Sequence, residues 1–191
     1  MKTHLEPGFA DPVSNAQQSF RAILDAISHP GRITRVAGVA PPAPLDIAAG
    51  AALLTLVDQE TPIWLDPDAE PVRQWIEFHC GAHIVSEMEA CAFAFALSLP
   101  ELDEFPAGTH EAPETSATII CQVASLDTGR TLQLSGPGLR EPALLTVGGL
   151  PRDFPAMWRK NRALFPCGID LILCAGDRLT ALPRTVSVKE D

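Results

Sequence analysis

The stretch PCGIDLILCAGDRLTALPRT, residues 166–185, carries the reading of the fold. Its apolar run Ile169 to Cys174 has the length and β-branched content of a buried strand, and AlaGlyAsp at 175–177 turns the chain into RLTALP as the second arm of a hairpin. Asp170 opens the run, and carboxylates are seldom buried unless something pairs with them. Upstream, Phe154 to Phe165 reads as a helix and Ala143 to Val147 as a short strand. Thr118 to Leu126 and Thr131 to Ser135, joined by AspThrGlyArg at 127–130, carry a hairpin signature that GlyProGly at 136–138 closes. The acidic, turn-rich segment 100–117 reads as an exposed loop.

Nearer the N-terminus, CAFAFAL at 91–97 alternates like a strand facing two layers, and TPIWL at 61–65 and GRITRV at 31–36 read as further strands. Asp11 caps a first helix with Pro12 at its first position; Val13, Ala16, Phe20, Leu24 and Ile27 give it an apolar stripe to dock on a core, and HisProGly at 29–31 ends it. After the connection APPAP at 40–44, Leu45 to Val57 is apolar on nearly every side, the pattern of a buried helix. Pro71 to His79 is helical, with Val72, Trp75, Ile76 and His79 on one side. Helix-separated strands mixed with hairpins predict an α/β protein: a three-layer sandwich whose mixed sheet is flanked by helices, in one domain over 1–191.

Composition narrows the function. The 191 residues are 46% hydrophobic and 20% charged, with 24 acidic against 14 basic side chains and a net charge of −10. Such a field repels nucleic acid, whose binding rests on neutralised phosphates. No apolar run is long enough to span a bilayer and the N-terminus lacks a signal-peptide pattern, so a cytoplasmic chain is expected, without membrane contact. The five cysteines show no CxxC spacing and read as reduced core thiols.

Few motifs suggest chemistry. HisCysGlyAlaHis at 79–83 has ligand types but no partner pair elsewhere, and His79 reads as a cap on the last carbonyls of its helix with Cys80 packed inside. SerGlyProGlyLeu at 135–139 lacks the residues of a P-loop and reads as a tight turn. A Schiff-base lysine has only Lys160 as an internal candidate, and that residue reads as the solvated face of its helix; no nucleophile elbow occurs. The residues alone therefore predict no catalytic, cofactor-binding or metal site.

Several blocks read together resemble one family: GFADPVSNAQQSFRAILDAISHPG at 8–31, LLTLVDQETPIWL at 53–65, PheHis at 78–79, GTHEAPETSAT at 108–118, QVASL at 122–126, LSGPGL at 134–139, FPCGIDLIL at 165–173 and ALPRT at 181–185. Together they are similar to the H subunit of the bacterial carbon-phosphorus lyase machinery, over nearly the whole chain. The departures, His83 and the cysteines among them, fall at weakly specified positions. The resemblance implies a fold like that of pyridoxal-phosphate-dependent transferases with the cofactor site lost, and a homodimer when isolated. It also implies assembly with the G, I, J and K subunits. With the G, I and L subunits, such a chain would be needed to form α-D-ribose 1-methylphosphonate 5-triphosphate from ATP and methylphosphonate, without being catalytic itself.

Within that frame Asp170 is expected either to satisfy N–H groups of the preceding ProCysGly turn or to pair with Arg184; alternatively, Asp170 and Arg184 form a ligand-facing pair that holds a phosphate or phosphonate. The competing functional reading is a stand-alone anion-binding protein or enzyme with a pocket built from Arg184, Arg32 or Arg130. Convergent arginines would favour that reading, whereas an exposed apolar patch would favour a subunit.

Overall fold

The computed structural model describes residues 6–190. Its central element is a mixed seven-stranded sheet in the order β1-β9-β8-β5-β4-β2-β3, made of β1 (Thr34–Arg35), β2 (Ile63–Leu65), β3 (Ile84–Val85), β4 (Phe93–Ala96), β5 (Thr118–Gln122), β8 (Asp170–Ala175) and β9 (Arg178–Leu182). The run from β3 to β8 is parallel, and β9 turns back against β8 with Leu171 opposite Leu182 and Ala175 opposite Arg178. A second, antiparallel sheet in the order β10-β6-β7 is formed by β6 (Ser125–Ser135), β7 (Ala143–Gly148) and β10 (Ser187–Glu190). Among the described residues the α-helices are α1 (Pro12–Ser28), α2 (Ile47–Leu56), α3 (Arg73–Cys80) and α4 (Phe154–Ala163).

Strand periodicity divides the core in two. Phe95, Ile120, Ile172, Cys174, Leu179 and Ala181 face the layer of α1, α2 and α3. Ala94, Ala96, Ile119, Cys121, Leu171 and Leu173 face the opposite way, onto the small sheet and α4. The observed protein is thus an α/β fold with a mixed sheet, but one flank is largely a second sheet rather than helices. Trp158, fully buried, ties α4 to this flank by donating its indole N–H to the Val186 carbonyl at 2.8 Å.

Several sequence expectations need correction. The hairpin between 118–126 and 131–135 does not form: β5 is a parallel strand between β4 and β8, while β6 belongs to the other sheet. AspThrGlyArg lies inside β6 as a bulge, where the register against β7 shifts between Ser125 and Arg130 and the Ser125 hydroxyl accepts the Asp127 and Thr128 N–H groups. A turn signature and a bulge share the same need, a glycine at positive φ, so local sequence does not distinguish them. Gly129 has φ +128°, and a Cβ there would lie 2.4 Å from the Val147 carbonyl oxygen. Gly129→Ala is accordingly expected to cost about 1–3 kcal/mol, read as a lower denaturant midpoint.

Segment 100–117 is not wholly exposed. Leu102 and Phe105 are buried, and Phe105 meets Trp64 edge-on with ring centroids 5.6 Å apart. The two apolar anchors are diluted by acidic and turn residues, which hides them from a composition reading.

Helix α1 forms as expected, with the Asp11 carboxylate accepting the Ser14 N–H and Pro12 at its first position. Its orientation differs from the expectation. Ser19, Ile23 and Ala26 face the core, whereas Val13, Phe20, Leu24 and Ile27 are 82%, 50%, 51% and 40% exposed. Periodicity finds stripes but cannot say which one docks; small side chains at Ser19 and Ala26 let α1 pack close to α2 and β9.

Candidate functional site

The chain enters β8 through a turn whose hydrogen bonds are settled elsewhere. Cys167 N–H goes to the Leu164 carbonyl, Gly168 N–H to the Ala107 carbonyl at 2.7 Å, and Ile169 N–H to Asn161 Oδ1 at 2.7 Å. The expectation that Asp170 caps the ProCysGly turn is therefore corrected. Asn161, 4% exposed on α4, does part of that work and also donates its amide to the Ile169 carbonyl at 2.8 Å. Sequence reasoning missed it. The available signal was its spacing: seven residues after Phe154 and three after Trp158, it lies on the buried face of an amphipathic helix, where an amide must find partners.

Asp170 is thereby left for Arg184. Its Oδ1 accepts the Arg184 backbone N–H at 2.7 Å, and both carboxylate oxygens accept from Nε, at 3.2 and 3.1 Å, with Nη2 also donating to Oδ2. Arg184 Nη1 donates to the Pro113 carbonyl at 2.7 Å, so one guanidinium ties the strand, the end of β9 and segment 113–115 together. The side chains are 28% and 16% exposed at a shallow cleft of about 360 Å³ whose lining includes Glu114, Phe165 and Thr185. Two carboxylates, Asp170 and Glu114, thus accompany one guanidinium, and the charge that an incoming anion would need is already neutralised.

The remaining candidates do not gather into one place. Arg32 bonds Asp25 at 2.9 Å, and Arg130 pairs with Glu190 at 3.2 Å and donates to the Arg152 carbonyl. Arg184, Arg32 and Arg130 each serve a different carboxylate. Lys160 is exposed on α4, at the rim of an apolar cavity of about 310 Å³ lined by Leu102, Phe105, Met157, Leu164 and Ile169. At 135–139, Leu139 N–H closes on the Gly136 carbonyl, and a Cβ on Gly138 would lie 2.5 Å from the Ser28 carbonyl oxygen, so this turn is shaped by backbone packing.

His79 does not cap its own helix. Its Nε2 donates to the Glu6 carbonyl at 2.9 Å, beside the Trp75 indole, which donates to the same oxygen at 3.0 Å. Cys80 beside it is half-buried and His83 is exposed. Among the described residues, no three His, Cys, Asp or Glu side chains come together as a metal site.

Burial raises the thiols from the ordinary value near 9.0: Cys91 to about 11, Cys80 and Cys121 to about 12, and Cys174 well above it. The folded state keeps these protons where the unfolded chain loses them. Their contribution to stability is therefore complete below pH 9 and lost as pH rises from there towards 12. Urea midpoints should be flat with respect to these groups near neutrality and fall on the alkaline side; a midpoint that rises above pH 9 would contradict the assignment.

A family model described as bacterial phosphonate metabolism protein (PhnH) matches residues 7–189. The chain is 41% identical over 189 residues to the alpha-D-ribose 1-methylphosphonate 5-triphosphate synthase subunit PhnH of Rhizobium meliloti (strain 1021), covering 96% of this chain and 94% of that protein. It is 33% identical over 180 residues to HtxG of Stutzerimonas stutzeri, a provisionally named C-P lyase subunit protein, covering 90% of this chain and 85% of that protein.

Proposed function

Since the chain belongs to the PhnH family of bacterial phosphonate metabolism proteins, we propose that it serves as the PhnH subunit of an α-D-ribose 1-methylphosphonate 5-triphosphate synthase in C-P lyase metabolism. The observation that carries this reading is the 41% identity to such a subunit over 96% of the chain, with nothing large added or removed. Its role there is assembly rather than bond chemistry. That part rests on the arginines, each neutralised by its own carboxylate, and on the outward apolar stripe of α1, which suits a protein partner better than a small anion.

In this reading the chain is one cytoplasmic domain over 1–191 that works with the G, I, J, K and L subunits. Alone it forms a homodimer. Its sheet is a degenerate relative of the pyridoxal-phosphate-dependent transferase fold. Among the described residues, no helix is long and apolar enough to cross a membrane.

The test is reconstitution. With the G, I and L subunits, ATP and methylphosphonate, omission of this chain should abolish phosphonate-dependent adenine release, and its return should restore it. The chain alone should release none. Release by the isolated chain would make it the enzyme, and undiminished release without it would remove it from the synthase. The isolated chain should also show no visible pyridoxal absorbance after incubation with the cofactor; a band lost in Lys160→Ala would restore a cofactor role to that residue.

A further inference from the structure

Three ties fix a cleft between α4 and the segment that leads into β5. Asn161 pins α4 to the Ile169 backbone, the Gly168 N–H reaches the Ala107 carbonyl at 2.7 Å, and Phe105 rests edge-on against Trp64. Between them lies the apolar cavity of about 310 Å³. One wall is formed by Leu102 and Phe105, at the short turn Leu102–Glu104; the other is formed by Met157, Lys160 and Leu164, in steps of three and four residues along α4 and its cap. The apolar surface continues past the mouth, where Leu164 is 48% and Phe165 61% exposed, and Phe165 carries it to the shallow cleft beside Asp170 and Arg184. Walls held this way are already in place for an occupant, so filling them costs little ordering and removes carbon from water.

We propose that this cleft is the docking site for a basic segment of another synthase subunit, one that carries an apolar anchor side chain flanked by lysine or arginine. The inference rests on the subunit reading above and gives it a surface. Charge identifies the occupant. Glu101 and Asp103 stand at the lip of the cavity with Glu104 next to them in the turn, all three exposed, and Lys160 faces them from α4. Among the described residues none of these four takes part in an ion pair, so three carboxylates act against one ammonium on a chain that is already at −10. A second copy of the chain brings the same negative field and is disfavoured, whereas a cationic segment is drawn in. The ridge beyond the mouth identifies the occupant as polypeptide: a small cation filling the cavity leaves Phe165 in water, while a segment seats its anchor between Leu102 and Met157 and covers Leu164 and Phe165 as it passes. Lys160 is the single repulsive element in this arrangement, and its removal therefore strengthens the contact.

The test is titration of the purified full-length chain onto an immobilised assembly of the G, I, J and K subunits prepared without it. Wild-type binding should weaken as salt is raised. Glu101→Lys combined with Asp103→Lys should bind about tenfold more weakly at low salt and lose much of the salt dependence, chiefly through a slower association rate. Lys160→Glu should bind about threefold more tightly at low salt, a gain that general damage to the fold does not produce. Phe165→Ser should bind more weakly with the salt dependence unchanged. All four positions are exposed, so melting temperatures should match wild type. Unaltered binding by the double lysine variant, or unaltered or weaker binding by Lys160→Glu, places the contact elsewhere: it overturns the cleft and leaves the subunit reading standing. A wild type that does not bind the assembly removes both. Variants that change self-association in sedimentation, while binding to the assembly stays as in wild type, assign the cleft to a second copy and likewise overturn the proposal.

Discussion

Asn161→Ala should lower the stability of the folded chain by about 2–6 kcal/mol, because two buried backbone groups lose their partner at once and each such group costs about 1–3 kcal/mol. Asn161 is 4% exposed, receives the Ile169 N–H at 2.7 Å and donates to the Ile169 carbonyl at 2.8 Å, immediately before β8 enters the sheet. Water has little access there to replace either bond. Against a usual total of about 5–15 kcal/mol, the loss is large enough to reduce yield. Asn161→Asp keeps an acceptor for Ile169 but loses the donor and brings in a charge, so it should be no better than alanine. Urea unfolding with an unchanged slope is the appropriate measurement, and an Asn161→Ala midpoint equal to wild type would show that the amide is dispensable.

Asp170→Ala should cost about 1–3 kcal/mol, with the Arg184 backbone N–H and guanidinium both left short of an acceptor. The estimate sits below that for a fully buried pair because Arg184 can turn towards the cleft and water. Asp170→Asn retains an oxygen acceptor and should cost less. Arg184→Ala also removes the tie to the Pro113 carbonyl, so segment 113–115 should become more accessible to protease. For adenine release by the assembled subunits, each variant should lose activity only in step with its folded, assembled fraction. A folded and normally assembling Asp170→Ala protein that has lost the activity would sink this structural reading and return the pair to a ligand-binding role.

Much of this is legible in the sequence. Helix α1 (Pro12–Ser28) with its Asp11 cap, the buried α2, and the β8–β9 hairpin follow from caps, periodicity and turn residues, all properties of neighbours along the chain. The candidate pair was legible only in part. Asp170 is conspicuous because a carboxylate opens an apolar run, and Arg184 was one of two ways to satisfy it. The choice depended on Asn161 taking the Ile169 N–H, and that bond joins a helix to a strand entry. Membership of the PhnH family is likewise written along the chain, in blocks from 8–31 to 181–185.

Only the tertiary structure decided which of two apolar stripes of α1 is inside, because a helix with two such faces has the same period whichever one docks. The separation of β5 from β6 into different sheets was decided there too: Gly129 satisfies a bulge as well as it does a hairpin turn, and the competing partners β8 of the one and β10 of the other lie far away in sequence. Local sequence determined the elements and their ends through short-range sterics and hydrogen bonding. Their partners were determined by which long-range pairing buried the most apolar surface without leaving polar groups unpaired, a comparison that exists only once the whole chain is folded.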